Sequence, residues 1–194
     1  KGIRGILEVV LCTPGFLAIT FHRAFHFMHS TLHIQVLPRF LSLIVRWWTG
    51  IEIHPGAKIG KGFFIDHGAG VVIGETAEVG DNVTLYQGVT LGGTGNDKGA
   101  KRHPTLESNV FVGSGAKILG PITIGANSRI GANSAVLKDV PRNATVTGMR
   151  ARIIKIDGKR VSECSACMNP EELWAKLLRV EEEMALLRKE IRHL

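Results

Sequence analysis

Aliphatic or small residues recur at every sixth position through the middle of the chain. One run is Ile53, Ile59, Ile65, Val71, Ala77, Val83 and Val89, and a second is Leu106, Val112, Ile118, Ile124, Ile130 and Val136. A helix repeats its apolar face at three and four residues and a strand at two, so a sustained period of six belongs to neither. It predicts a β-solenoid, in which each hexapeptide supplies a short strand and a turn and sends its sixth-position side chain into a stacked core. Glycines that follow the aliphatic residues, Gly60, Gly74, Gly80, Gly113, Gly125 and Gly131, mark the corners, where the chain turns sharply and coils approach closely. Two frames fit the first run, because Ile73, Val79, Leu85 and Leu91 are also six apart. A slip of two residues between Gly68 and Val71 would join them, and the register there stays open.

With 194 residues, 44% of them hydrophobic, the chain can bury one sizeable core and carry appendages. The 24 Lys and Arg against 17 Asp and Glu give a formal charge of +7, which suits an anionic partner, although scattered solvated charge is the commoner cause. A single Tyr, no zinc-finger spacing and no aromatic basic motif argue against nucleic acid. Pro38, Arg39 and Arg46 interrupt the most apolar region before it reaches the roughly 18 to 20 residues that span a bilayer, so no membrane segment is expected. Three cysteines make no disulfide framework, and no signal peptide is recognisable, which points to a reducing cytoplasm.

Residues 1–50 read as a helical cap over the open end of the solenoid. Thr13-Pro14 starts one helix and Thr49-Gly50 stops the last. His22, His26, His29 and His33 fall at intervals of four, three and four, on one side of a helix. They lack the glutamate of the metalloprotease pattern and lie beside Phe21, Phe25 and Phe27, so they read as packing residues and no metal is expected. The solenoid domain runs over 51–161, broken by a protruding loop, 92–103, that is rich in glycine and carries Lys98, Lys101 and Arg102. Beyond Met149 the pattern ends in a basic strip, Arg150, Arg152, Lys155, Lys159 and Arg160. Residues 162–194 form a linker, in which Cys164 and Cys167 read as ordinary thiols, and a helix whose seam of Leu173, Leu177, Val180, Met184, Leu187, Ile191 and Leu194 predicts a self-associating coiled coil.

Five segments together resemble the serine acetyltransferase family: Gly50-Ile-Glu-Ile-His-Pro-Gly-Ala, Phe64-Ile-Asp-His-Gly, Val71-Val-Ile-Gly-Glu-Thr, Gly88-Val-Thr-Leu-Gly-Gly-Thr-Gly and Lys101-Arg-His-Pro. The likeness extends from about Leu7 to about Val161. It implies a mainly β fold, a left-handed parallel β-helix of hexapeptide repeats with an α-helical N-terminal cap, to which the sequence adds a C-terminal coiled-coil helix. It implies transfer of acetyl from acetyl-CoA to the hydroxyl of L-serine, giving O-acetylserine for cysteine biosynthesis, in the cytoplasm and without a metal. His67 matches the general base that takes the serine proton, and Glu52 the carboxylate behind it, where many relatives have Asp. Asp66, Arg102 and His103 match serine-binding residues, for the ammonium, the carboxylate and the developing oxyanion respectively. Gly93, Thr94, Ser114, Arg129 and Ala132 match the positions that line the CoA arm.

The resemblance further implies a site formed between neighbouring subunits of a homotrimer or a dimer of trimers, and L-cysteine as a feedback inhibitor. O-acetylserine sulfhydrylase docks on the C-terminal tail of family members, commonly through a terminal isoleucine, whereas this tail ends in His193-Leu194. An upstream Asp-Pro-Ala motif of the family does not occur in the chain. Rival classes are a hexapeptide acyltransferase for sugar hydroxyls, a γ-type carbonic anhydrase using His54, His67 and His103, and a non-catalytic scaffold. Asp66 and Arg102 discriminate against the first, since a zwitterionic acceptor needs both charges and a sugar neither.

Overall fold

The structure, a computed structural model, describes residues 2–95, 101–149 and 152–160, together with Leu177–Arg179, Glu181 and Met184. Residues up to Arg160 form one compact unit, Lys1–Arg160, and Val161–Leu194 a second. The described residues of the second unit are helical. The rest of the expected coiled-coil seam, with Cys164 and Cys167, lies outside the described residues.

Three helices come first: α1 (Ile3–Cys12), α2 (Pro14–Ser30) and α3 (Val36–Thr49). Pro14 opens α2 at its first turn, where a missing N–H costs nothing, but the Thr13 side chain makes no capping hydrogen bond. Gly50 closes α3 in the left-handed conformation, φ 71°, donating its N–H to the Arg46 carbonyl at 2.8 Å. The solenoid follows. Its first coil holds β1 (Glu52–Ile53), β2 (Lys58–Ile59) and β3 (Phe64–Ile65), and its second β4 (Val72–Ile73), β5 (Glu78–Val79) and β6 (Thr84–Leu85). The third holds β7 (Thr90–Gly92), β8 (Thr105–Leu106) and β9 (Phe111–Val112), and the fourth β10 (Lys117–Leu119), β11 (Thr123–Ile124) and β12 (Arg129–Ile130). A last coil runs from β13 (Ala135–Val136), past a parallel bridge between Ile124 and Val140, to β14 (Ala144–Thr147).

From β1 to β13 every third strand stacks in parallel on its predecessor, and β14 stacks on β12 because only the Ile124–Val140 bridge stands for the strand between. Face 1 is β1-β4-β7-β10-β13, face 2 is β2-β5-β8-β11, and face 3 begins β3-β6-β9-β12-β14. Each hexapeptide sends two side chains inward. The strand residues Ile53, Ile73, Leu91, Ile118 and Val136 form one such column, and Ile51, Val71, Val89 and Ala116, two positions earlier, form its companion. Both frames seen in the sequence are therefore real, and the two-residue slip exists. Glu52 pairs with Val72, 20 residues on, whereas Val72 pairs with Thr90, 18 on. The extra pair falls in the turn that carries His67.

The corner glycines act by close approach. A Cβ on Gly80 would lie 2.9 Å from the Glu107 carbonyl carbon and the Ser108 nitrogen of the next coil. The sharp turn is made two residues further on, at left-handed positions such as Asn82, Asn109 and Asn127, with φ of 55°, 60° and 60°. The open end of the first coil is covered by α2. Arg23 donates to the carbonyls of Ile59 and Gly60, and the His26 ring to that of Pro55 at 2.8 Å, so edge acceptors that would invite another strand are satisfied. At the other end, residues 152–160 of the basic strip are ordered as two strands. β15 (Arg152–Ile156) and β16 (Lys159–Arg160) fold back antiparallel on β14 and extend face 3.

Candidate active site

The three corners of the solenoid differ in what they carry. On the corner between faces 3 and 1, the two inserted residues make a tight turn centred on His67, which adopts φ 59°, closed by Gly68 N–H donating to the Asp66 carbonyl at 2.7 Å. Positive φ is uncommon for a residue with a side chain, and strain of this kind gathers at functional positions. The turn pushes His67 outward, its side chain 74% exposed, with Nε2 3.9 Å from Oδ1 of Asp66. Ser114 and Ala132 belong to the same corner higher up, where the Asn133 N–H donates to the Ser114 carbonyl at 2.8 Å.

Glu52 leaves β1 on the outer side of face 1 and does not reach His67. Its carboxylate is taken by α3, with Arg39 Nη2 at 3.1 Å from Oε1 and Arg46 Nη1 at 2.9 Å from Oε2. Among the described residues no hydrogen bond joins Glu52 to His67. The physical reason is competition: two guanidinium groups make charge-assisted bonds to the carboxylate and hold it against α3.

The corner between faces 1 and 2 carries the long loop. Glu78 pairs with Thr105, 27 residues on, so the coil is interrupted between Gly92 and Thr105, of which 96–100 lie outside the described residues. The landing of that loop hangs on Thr76. Thr76 Oγ1 accepts the N–H groups of Arg102 at 3.0 Å and His103 at 3.1 Å, and the Thr76 carbonyl accepts Lys101 Nζ at 2.8 Å. His103 is 8% exposed, and its Nδ1 lies 3.1 Å from the Thr76 nitrogen and 2.9 Å from Thr76 Oγ1. Burial is the main cause that lowers the His103 pKa, followed by the positive charge of Arg102, with Glu75 opposing and Lys101 adding to the fall. Arg102 is held by Glu75, Nη2 to Oε2 at 2.5 Å. Beside them a cleft of about 370 Å³ opens between His29, Lys58, Glu75, Thr76 and Lys101.

Glu75 and Thr76 were legible as part of a motif, Val71 to Thr76, yet no task could be read for them because their partners lie 27 residues away. The residues matched to the CoA arm divide. Gly93 and Thr94 begin the loop on the face 1–2 corner, Ser114 and Ala132 sit on the face 3–1 corner, and Arg129 stands on face 3, its guanidinium 4.8 Å from the centre of the Phe111 ring. Within one chain, then, Asp66 and His67 are neighbours, Arg102 and His103 are neighbours, and the two pairs occupy different corners. The helical histidines do not form one cluster: the buried His22 ring lies 5.7 Å from that of His26, His29 meets His54 edge-on at 6.0 Å, and His33 lies beyond the end of α2. Among the described residues no group of three or more His, Cys, Asp or Glu is placed to hold a metal.

The bacterial transferase hexapeptide family (six repeats) matches residues 103–138. A serine acetyltransferase of Synechococcus elongatus is 56% identical over 168 residues, covering 87% of this chain and 68% of that relative. One from Bacillus licheniformis is 47% identical over 190 residues, covering 97% of this chain and 87% of the relative. The chain belongs to the serine acetyltransferase family. Its fold is accordingly a left-handed β-helix of hexapeptide repeats with N-terminal helices, as in the solved members of that family. Serine acetyltransferase from Neisseria gonorrhoeae in complex with serine superposes with a TM-score of 0.71 at 41% identity over 75% of this chain, and a serine acetyltransferase in complex with cysteine with 0.74 at 42% over 77%. The chain spans 58% and 61% of those two structures.

Proposed function

We propose that this chain transfers the acetyl group of acetyl-CoA to the hydroxyl of L-serine, in a site completed between neighbouring copies of a homotrimer. The observation that carries the reading is the division of labour between corners. One corner presents an exposed imidazole beside a carboxylate, Asp66-His67, and another a guanidinium beside a buried imidazole, Arg102-His103. A threefold arrangement sets unlike corners of adjacent copies face to face. His67 takes the serine proton as Oγ attacks the thioester carbonyl. Collapse of the resulting tetrahedral intermediate expels the CoA thiolate, which recovers that proton from the imidazolium. Asp66 receives the serine ammonium, and Arg102 its carboxylate in exchange for Glu75. Gly93, Thr94, Ser114 and Ala132 offer small surfaces along which the pantetheine arm runs, and Arg129 supplies positive charge for the CoA phosphates. Glu52 is assigned the carboxylate that stabilises the imidazolium, a role that requires α3 to surrender one of its oxygens as charge develops on the ring. L-cysteine, sharing the ammonium and carboxylate of serine, is proposed to compete at the same site.

The test is thiol release from acetyl-CoA, with L-serine and with sugar hydroxyls as acceptors, followed by subunit mixing. Serine-dependent release is expected. Mixtures of His67→Ala and Arg102→Ala chains, each inactive alone, should regain partial turnover after unfolding and refolding together, because some sites then combine an intact His67 with an intact Arg102 from the neighbour. Equal release with sugars rejects the acceptor, and mixtures that stay inactive reject the shared site.

A further inference from the structure

We infer that Thr76 is a positioning residue that, with Gly74, locks His103 as the neutral imidazole carrying its proton on Nε2, so that His103 acts as a fixed hydrogen-bond donor to the acetyl carbonyl and not as a second base. The inference rests on the reaction proposed above for the role of the donor, but not for the state of the ring.

Proton bookkeeping at Thr76 decides that state. Its hydroxyl oxygen already accepts two backbone N–H groups, from Arg102 at 3.0 Å and His103 at 3.1 Å. Both lone pairs are used, so the hydroxyl proton is left to donate, and the atom within reach is His103 Nδ1 at 2.9 Å. The Thr76 backbone N–H, which is a donor only, points at the same nitrogen from 3.1 Å. With two donors converging on it, Nδ1 is an acceptor and holds no proton, and the ring's single proton sits on Nε2. A flipped ring would turn a carbon toward both donors.

Gly74 removes the remaining freedom. A Cβ at that position would lie 2.2 Å from both Cδ2 and Nε2 of His103, so the imidazole occupies the space that any other residue would need. The charged and titratable groups around it come from three segments: Lys101 and Arg102 from the loop landing, Glu75 from the turn after β4, and His54 from the turn after β1. Arg102 and Lys101 oppose a positive ring and Glu75 favours one, so the balance of charge acts with burial and with the Thr76 donors to keep His103 neutral. A group held in one protonation state is suited to meeting negative charge as it develops on an oxygen, without reorganising during the reaction.

The experiment is a two-bond proton–nitrogen NMR spectrum of the nitrogen-15-labelled protein, with the His103 ring assigned by its loss in His103→Asn. The expected pattern at pH 7 to pH 8 is that of an Nε2-protonated ring, with any imidazolium signal appearing only below the ordinary histidine midpoint. In Thr76→Val the His103 titration midpoint should rise, and kcat with L-serine should fall about tenfold to a hundredfold, in line with the cost of a small misplacement, while KM for acetyl-CoA stays put. Thr76→Ser should restore both. A proton on Nδ1, an imidazolium at neutral pH, or a Thr76→Val protein with the wild-type spectrum and wild-type kcat would overturn the inference. If Thr76→Val does not fold, Thr76→Cys, whose thiol is a weak donor, supplies the same readout. The spectrum is read without substrate, so absent serine turnover would reject the acceptor while leaving the ring state to be judged on its own signal.

Discussion

His67 and His103 are the same side chain on two corners of one solenoid, and their surroundings are opposite. His67 rides the tip of a turn at φ 59°, its side chain 74% exposed, and no hydrogen bond holds its ring among the described residues. His103 is 8% exposed, pinned at Nδ1 by Thr76 and backed by Gly74. A base must gain and lose a proton within every turnover, which calls for access and freedom. A donor must keep its proton, which calls for burial and fixed partners. Environment, and not residue type, separates the two proposed roles.

The largest expected effect tests the exposed member. His67→Ala should lower serine-dependent turnover by 10² to 10⁴, about 3 to 5 kcal/mol of transition-state stabilisation, measured as thiol release from acetyl-CoA. Wild-type turnover in that variant would dissolve the contrast between the corners. Next comes the socket of the buried member. Gly74 has no positive φ, so Gly74→Ala strains no backbone, and the three atoms nearest to the new Cβ all belong to the His103 ring, from 2.2 Å. Displacing the ring should cost about 10² to 10³ in kcat, the usual loss for one oxyanion donor. Overpacking should also cost about 1 to 3 kcal/mol of stability, read as a lower urea midpoint. An alanine protein with normal kcat would mean that His103 does not face the reaction.

Why the sequence exposes one corner more readily than the other is a matter of periodicity. The solenoid was legible because a six-residue repeat has few structural solutions, and the two competing frames already marked where residues were inserted. That insertion is the His67 turn, so the most irregular point of the repeat is also the one with the most exposed candidate base. The Thr76–His103 socket was not legible, since it depends on a loop landing that brings position 103 over position 76. The Arg39 and Arg46 grip on Glu52 was hidden for a similar reason, because helix α3 and strand β1 each read normally alone. The hairpin of β15 and β16 was hidden because it follows the end of the six-residue repeat, and an antiparallel return onto face 3 leaves no mark in that period.

A third histidine sharpens the comparison by being buried without these donors. His22 is 3% exposed, packed beside Ala18, Phe25, Val45, Ile51 and Ile53, and its pKa falls from 6.5 to about 3, chiefly through burial and then through His26 and Arg23. The folded protein therefore keeps it neutral while the unfolded chain protonates it below pH 6.5. Its contribution is complete above that pH and is lost, at about 1.4 kcal/mol per pH unit, as the pH falls toward the folded value. His54 and His103 are shifted in the same direction and add to the slope. Urea midpoints taken from pH 7 to pH 5 should decline steeply in the wild type and less steeply in His22→Leu. Parallel slopes would show that burial of His22 does not govern acid sensitivity.

The smallest effect belongs to the remaining corner, which carries structure without chemistry. There Asn127, at φ 60°, has nearly the backbone of His67, but its amide is part of a ladder: Asn109 Nδ2 donates to Asn127 Oδ1 at 3.1 Å, and Asn127 Nδ2 to Asn143 Oδ1 at 3.0 Å. The side chain that suits a left-handed residue is thus also the one that ties three coils together. Asn127→Ala should cost about 1 kcal/mol in thermal or urea unfolding, with turnover unchanged. His67→Asn, which places at the reactive corner the residue this ladder prefers, should do the converse, keeping or raising stability while removing the base. If both substitutions moved stability and turnover together, the left-handed turn at His67 would be one more structural corner, and its strain would have no connection with the reaction.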